Sequence, residues 1–255
     1  MRAIYKKELR SYFVNPLGYL YLGVFLAFSA FLCCYTTIVS GSYSTATYFV
    51  GLVLSFIVLI PLLTMRLFAE ERKMKTEQLL LTSPVSITGM VMGKYFAALT
   101  IFGGGVLVSA VNFIPLYIIG AIERGGTSSQ MKHIGPVTGE IFGSLLAVLL
   151  IGAALIAVGT FISSLAENQL SAAVITVGVI AVLLLSAFLN RLTDSDGQPL
   201  LPTLIRSILS NTSILGRFAL FSVGIIDYAA LFYYLSLSAL FVFLTIRVYE
   251  RRRLG

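Results

Sequence analysis

The chain has 255 residues, is 58% hydrophobic and only 11% charged, and carries a net charge of +7. A soluble domain is about 45–50% apolar and about 25% charged, and it covers its surface with many more Lys, Glu and Asp residues than this chain supplies. A water-soluble globular protein is therefore excluded, and a polytopic membrane protein is expected.

The chain opens with MRAIYKKELRSYFVNP, residues 1–16. Ile4, Tyr5, Leu9, Tyr12 and Phe13 recur at three- and four-residue intervals, and Arg2, Lys6, Lys7 and Arg10 fall largely between them. This spacing predicts a basic helix lying in the inner interface with its apolar side down. A short positive flank that only sets topology is the plainer alternative. Asn15-Pro16 turns the chain into the first apolar run.

Six apolar runs follow, at 17–39, 48–65, 95–120, 141–165, 170–189 and 228–248. Each reaches or slightly exceeds the ~17–25 residues that cross the hydrocarbon core, so six spanning helices are predicted. The first is too long for a cleaved signal peptide, and no small-residue cleavage site follows it. Pro61 predicts a kink near the end of span 2, and Gly103-Gly104-Gly105 with Asn112 and Pro115 predicts a bend or a close crossing in span 3. Gly143, Ala147, Gly152 and Gly159 give span 4 a thin surface for close packing. Cys33 and Cys34 are adjacent and fit a mutual disulfide poorly, and His133 lacks partners at metal-ligand spacing.

Between spans 2 and 3 lies FAEERKMKTEQLLLTSP, from Phe68 to Pro84. Lipid excludes these charges, so the segment lies in water. Glu71–Lys75 and Lys73–Glu77 are spaced as i,i+4 pairs and Glu70–Lys73 as an i,i+3 pair, each contributing ~0.2–0.5 kcal/mol in an exposed helix. Leu79, Leu80 and Leu81 form an apolar end, Thr82-Ser83-Pro84 stops the helix, and Ser86 to Thr88 offers a cap for the next. On the residues alone, a solvated connector and a docking helix are equally open. The loop at 190–226 is too long for a bare connector. Leu201, Leu204, Ile205 and Ile208, and then Leu215 to Val223, predict short helices in or dipping into the outer leaflet.

Lys and Arg set the orientation. Arg2, Lys6, Lys7 and Arg10, then Arg66, Arg72, Lys73, Lys75 and Lys94, then Arg247, Arg251, Arg252 and Arg253 fall on one side. Only Arg124, Lys132, Arg191, Arg206 and Arg217 fall on the other. Both termini are thus expected in the cytoplasm. Cations dispersed along membrane boundaries fit anionic lipid and argue against nucleic acid. All acidic residues lie in loops or near span boundaries, so proton relays and intramembrane catalysis lack their usual groups. The nearest approach to a phosphate-binding loop, Gly89-Met90-Val91-Met92-Gly93-Lys94-Tyr95, has the wrong spacing and Tyr95 where a metal-binding hydroxyl is needed. No enzymatic activity is expected of this chain.

The segment Glu70, Glu71, Arg72, Lys73, Thr76, Leu79, Leu80, Leu81, Thr82, Pro84, Val85 and Ser86 resembles the coupling helix of type-two ABC exporter permeases. The version is most similar to the branch of gliding-motility-associated and copper-enzyme-maturation permeases. Residues 1–16 resemble that family's elbow helix, and Ser163 to Gln169 resemble its second, shorter cytoplasmic contact. Met74-Lys75 departs from the pattern, in which a small residue such as Gly often precedes the Thr, and predicts a slightly stiffer helix.

The resemblance implies an all-α, six-span domain covering 1–255, with an elbow helix at 1–16, a coupling helix within 66–88 and re-entrant outer helices within 190–226. It implies a multi-pass subunit of a bacterial plasma membrane, paired with a second permease subunit, either a copy of itself or a sister chain. An ABC ATPase subunit, carrying ATP and Mg, would dock on Glu70, Glu71, Arg72, Lys73, Thr76, Glu77, Leu79, Leu80, Thr82 and Pro84. Ser164, Glu167 and Asn168 would form the second contact. No cofactor or metal is implied in this chain. The alternative is a non-transporting scaffold whose polar loop docks a cytosolic complex.

Overall fold

The computed structural model describes residues 1–40, 43–78, 86–126, 135–189 and 213–254. Helices dominate these residues, and no strand occurs among them. In chain order they are α1 (Arg2–Val14), α2 (Pro16–Cys33), α3 (Ala46–Thr64), α4 (Ala69–Lys73), α5 (Ile87–Ser109), α6 (Ile114–Gly126), α7 (Thr138–Leu165), α8 (Gln169–Leu189), α9 (Ile214–Phe221) and α10 (Tyr228–Leu254). A π-helical turn, Cys34–Ile38, extends α2, and a 3-10 turn, Ala110–Phe113, joins α5 to α6.

Among the described residues, six segments are long and apolar enough to cross a membrane: Pro16–Ile38, Ala46–Lys73, Ile87–Ile122, Thr138–Leu165, Gln169–Ala187 and Tyr228–Arg253. The molecule fits a multi-pass membrane protein. The third span begins at Ile87 rather than Tyr95 because the predicted cap is used. Ser86 Oγ accepts the Gly89 N–H at 3.3 Å, so the helix starts there. At 36 residues this segment runs for about 54 Å, well beyond a ~30 Å hydrocarbon core. Part of it must project, and Lys94 lies in its early turns. The α-helical run of this span is interrupted at the 3-10 turn, where Asn112 Nδ2 donates to Ser29 Oγ at 3.1 Å. Gly103 to Gly105 remain α-helical.

The central helix is α7, against which α3, α5, α8, α9 and α10 all pack. In lipid no hydrophobic drive brings helices together, so close van der Waals fit must do it, and small residues permit that fit. A methyl group at Gly152 would overlap the Phe102 ring of α5, and one at Gly159 would overlap the Thr64 side chain of α3. At Gly143 it would stand 2.8 Å from the Phe221 carbonyl oxygen. The thin surface expected of this span therefore receives three different neighbours. Edge-to-face contacts of Phe102 with Phe25 and Phe56 complete the core.

At the edge of the bundle, α1 is helical as its spacing predicts, but most of its apolar side is turned to protein, with Phe13 left exposed. Ile4 and Leu9 pack on the core, Tyr12 is buried, and α5 and α2 cover that face. The apolar stripe finds protein because α5 projects far enough to meet it. The second run of the loop at 190–226 forms α9, whose Ile214, Leu215, Phe218 and Phe221 are buried. Its first carbonyl, on Ile214, accepts the Tyr234 hydroxyl at 2.8 Å. The first run, including Leu201, Leu204, Ile205 and Ile208, lies outside the described residues.

Candidate functional site

Charged side chains converge where α1, the start of α5, the ends of α3, α7 and α10, and the segment after α3 meet. The chain leaves α3 through Met65-Arg66-Leu67-Phe68 and enters α4. Ser163 of α7 receives that turn: its buried Oγ accepts the N–H groups of Phe68 (3.2 Å) and Ala69 (3.3 Å) and donates to the Met65 carbonyl (3.3 Å). Two of the orphan N–H groups at the start of α4 are thereby satisfied by a neighbouring helix.

The helix expected across this segment is short. α4 ends at Lys73, and Lys75 adopts φ 57°, in the left-handed region. The Lys75 N–H donates to the Arg72 carbonyl and the Thr76 N–H to the Glu71 carbonyl, each at 3.0 Å. This is a Schellman termination with Lys at the position that usually carries Gly. The departure at Met74-Lys75 therefore marks a stop and does not stiffen a longer helix.

The ion pairs differ correspondingly from the ones spacing predicts. Once α4 stops, Glu71, Lys75, Lys73 and Glu77 no longer share one helical face. Glu70 instead accepts from Arg66 Nε at 2.9 Å, and Glu77 pairs with Arg72 at 3.3 Å and with Arg252 of α10 at 2.9 Å. Glu71 reaches Lys94 at 2.9 Å.

Lys94 is the node of the site. Its side chain is only 2% exposed, yet Nζ donates to Glu8 Oε1 (2.9 Å), Glu71 Oε1 (2.9 Å) and the Leu67 carbonyl (2.6 Å). All three ammonium donors are used, and one side chain ties α1 and the post-α3 segment to α5. Nζ also stands 5.2 Å from the centre of the Phe68 ring, which packs on Tyr249 of α10. Alongside it, the Tyr12 hydroxyl donates to the Leu63 carbonyl at 2.8 Å, with the Arg66 guanidinium over its ring. Burial, reinforced by the Glu8 carboxylate, pushes the Tyr12 phenol above its ordinary pKa and keeps it a neutral donor.

Arg72 makes the other junction. It donates to the carbonyls of Ser164 (2.7 Å), Leu165 (2.9 Å) and Ala166 (2.7 Å). These belong to the C-terminal end of α7, where carbonyls lack helical partners and the helix dipole favours a cation. Asn168 Oδ1 then accepts the Ser171 N–H at 2.8 Å and starts α8. The two segments singled out by resemblance are thus adjacent, joined by one guanidinium.

Of the residues named from sequence, Glu70, Glu71, Arg72 and Glu77 are engaged inside the chain, Thr76 is half-buried, and Ser164 is buried. Lys73, Glu167 and Asn168 are exposed, with Met74 and Lys75 beside Lys73. Leu79, Leu80, Thr82 and Pro84 lie outside the described residues. Sequence reasoning missed Glu8, Arg66, Tyr249 and Arg252 as members of the site, and it placed Lys94 in a loop. The signal for Lys94 was the Ser86 cap, which starts the helix early enough to enclose it. Set against known proteins, the chain matches no family model and no curated protein.

Proposed function

We propose that this chain is the membrane-spanning permease subunit of an ATP-driven ABC exporter. A separate ATPase subunit docks at the charged platform and supplies the energy, and the permease works as a dimer in a bacterial plasma membrane with both termini in the cytoplasm. The observation that carries this reading is the double anchoring of the post-α3 segment. Lys94 fastens it to α1 and α5, and Arg72 fastens it to the end of α7. A segment held this way transmits a push at Lys73, Met74 or Lys75 into three membrane helices instead of absorbing it as a loose loop. Glu167 and Asn168, exposed just after the α7 carbonyls that Arg72 holds, extend the same docking face. α9 would sit at the opposite side as an outer-leaflet helix.

The test is co-expression with an ABC ATPase encoded beside this gene. The pair should copurify, and the permease in liposomes should change the ATPase rate, while the chain alone should hydrolyse no ATP. Lys73→Glu with Lys75→Glu should weaken copurification without lowering thermal stability, because both side chains are exposed. Reversal at Glu71 or Arg72 should lower both. If the exposed-residue variant copurifies undiminished and no ATPase rate responds to the chain, the exporter reading fails.

A further inference from the structure

Several cations in this molecule are held by acids within the chain. Lys94, Arg66, Arg72, Arg247 and Arg252 each bind a carboxylate. On α1, by contrast, Arg2, Lys6, Lys7 and Arg10 are exposed and meet no acidic group among the described residues. The one acid of that helix, Glu8, is turned inward to Lys94. Residues 2, 6 and 10 follow one another at four-residue spacing, so the free cations form a row along the outer face. Lys6, Lys7 and Arg10, with Ala3, Ser11 and Val14, line a shallow concavity of about 470 Å³.

The row does not end in polar surface. Phe13 (42% exposed), Val14 (72%), Tyr19 (62%) and Leu20 (52%) continue it onto the first membrane span, with the Phe13 and Tyr19 rings in edge contact. Polarity thus changes along α1, from cations to apolar and aromatic groups at the mouth of a span. A water-borne acidic protein would match the cations but leave the apolar continuation uncovered. An anionic phospholipid matches both, with its phosphate on the cations and its chains on the apolar end.

We propose that the outer face of α1 is a binding site for anionic phospholipid, with Lys6, Lys7 and Arg10 holding the headgroup phosphate and Phe13, Val14, Tyr19 and Leu20 carrying the acyl chains. The helix meets the membrane through its cations and Phe13, since Ile4, Leu9 and Tyr12 of its apolar stripe are already used against the bundle. The proposal needs only the membrane-spanning fold and stands apart from the exporter reading.

The test is a lipid titration of the full chain in detergent, read as the rise in thermal unfolding midpoint. Phosphatidylglycerol should give a saturable rise that salt suppresses, and phosphatidylcholine should give far less. A cation near an anionic surface is worth about fivefold in affinity, so the triple variant K6Q/K7Q/R10Q should need on the order of 100-fold more phosphatidylglycerol. Its lipid-free midpoint should match the wild type, and the charge-conserving K6R/K7R/R10K should restore the response should the triple variant fold poorly. An equal response to phosphatidylglycerol in the triple variant overturns the proposal, as does an equal response of the wild type to phosphatidylcholine. Inorganic phosphate alone reproducing the shift would replace the lipid with a free anion. Loss of ATPase copurification with an intact lipid response would assign the row to a protein.

Discussion

Replacing Lys94 with Met tests the node directly, because Met keeps an unbranched apolar stem, one heavy atom shorter, and removes the charge and its three donors. Glu8 and Glu71 would then face each other without a cation, and the Leu67 carbonyl would lose its 2.6 Å partner. Removing one member of a buried pair costs about 3–5 kcal/mol. The Glu8 and Glu71 side chains keep 14% and 16% exposure, so the lower end applies. A loss of about 3 kcal/mol corresponds to a fall of roughly 6–12 °C in unfolding midpoint for a chain of this size. The chain has no Trp, so unfolding is best followed with a thiol-reactive dye on buried Cys33, in a background where exposed Cys34 is Ser. The sign of a second change makes the test sharp. In the wild type, Glu8→Gln should destabilise by about 1.5–3 kcal/mol, the worth of a hydrogen bond to a charged group. In the Lys94→Met background the same change removes an unpaired buried charge and should stabilise. A Lys94→Met midpoint within about 2 °C of wild type, well under the shift expected for 3 kcal/mol, would refute the reasoning. So would an equal effect of Glu8→Gln in both backgrounds.

Gly152→Ala should destabilise by about 1–3 kcal/mol, since the new methyl overlaps the Phe102 ring, and Phe102→Leu should recover part of that loss in thermal unfolding. Gly178→Ala, with nothing within 4 Å of the added carbon, should be neutral or stabilising in the same assay. Ser163→Ala strands two N–H groups at the start of α4, at about 1–3 kcal/mol, and should speed tryptic cleavage at Lys73 and Lys75 without altering cleavage at the C-terminal arginines. Tyr12 contributes a pH dependence: its phenol is raised in the folded state and ionises first in the unfolded one. Its own contribution should therefore be flat below pH about 10 and fall by about 1.4 kcal/mol per unit above it, so that wild type minus Tyr12→Phe shows that one-proton slope.

The six spans, the helix at α1, the Ser86 cap and the close packing along α7 were legible in the chain because each depends on local pattern. Apolar length decides what enters lipid, spacing decides which face of a helix is apolar, and small residues announce close approach wherever the neighbour comes from. The loop after α3 was misread for an equally local reason. Its helix stops at a left-handed Lys75, a conformation signalled elsewhere by Gly, so the expected i,i+4 pairs never form.

Sequence alone thus determined a membrane-compatible, all-helical chain and the placement of its charges outside the apolar runs. Only the tertiary structure decided what those charges do, because the partners of Lys94 come from positions 8 and 71 and those of Arg72 from positions 164 to 166 and 77. Apart from Arg72 and Glu77, which lie either side of the end of α4, these pairs are too distant in sequence to leave a periodic trace. Their geometry exists only once α1, α5 and α7 are brought together, and the same assembly turns Ile4, Leu9 and Tyr12 of α1 inward and leaves its cations facing out.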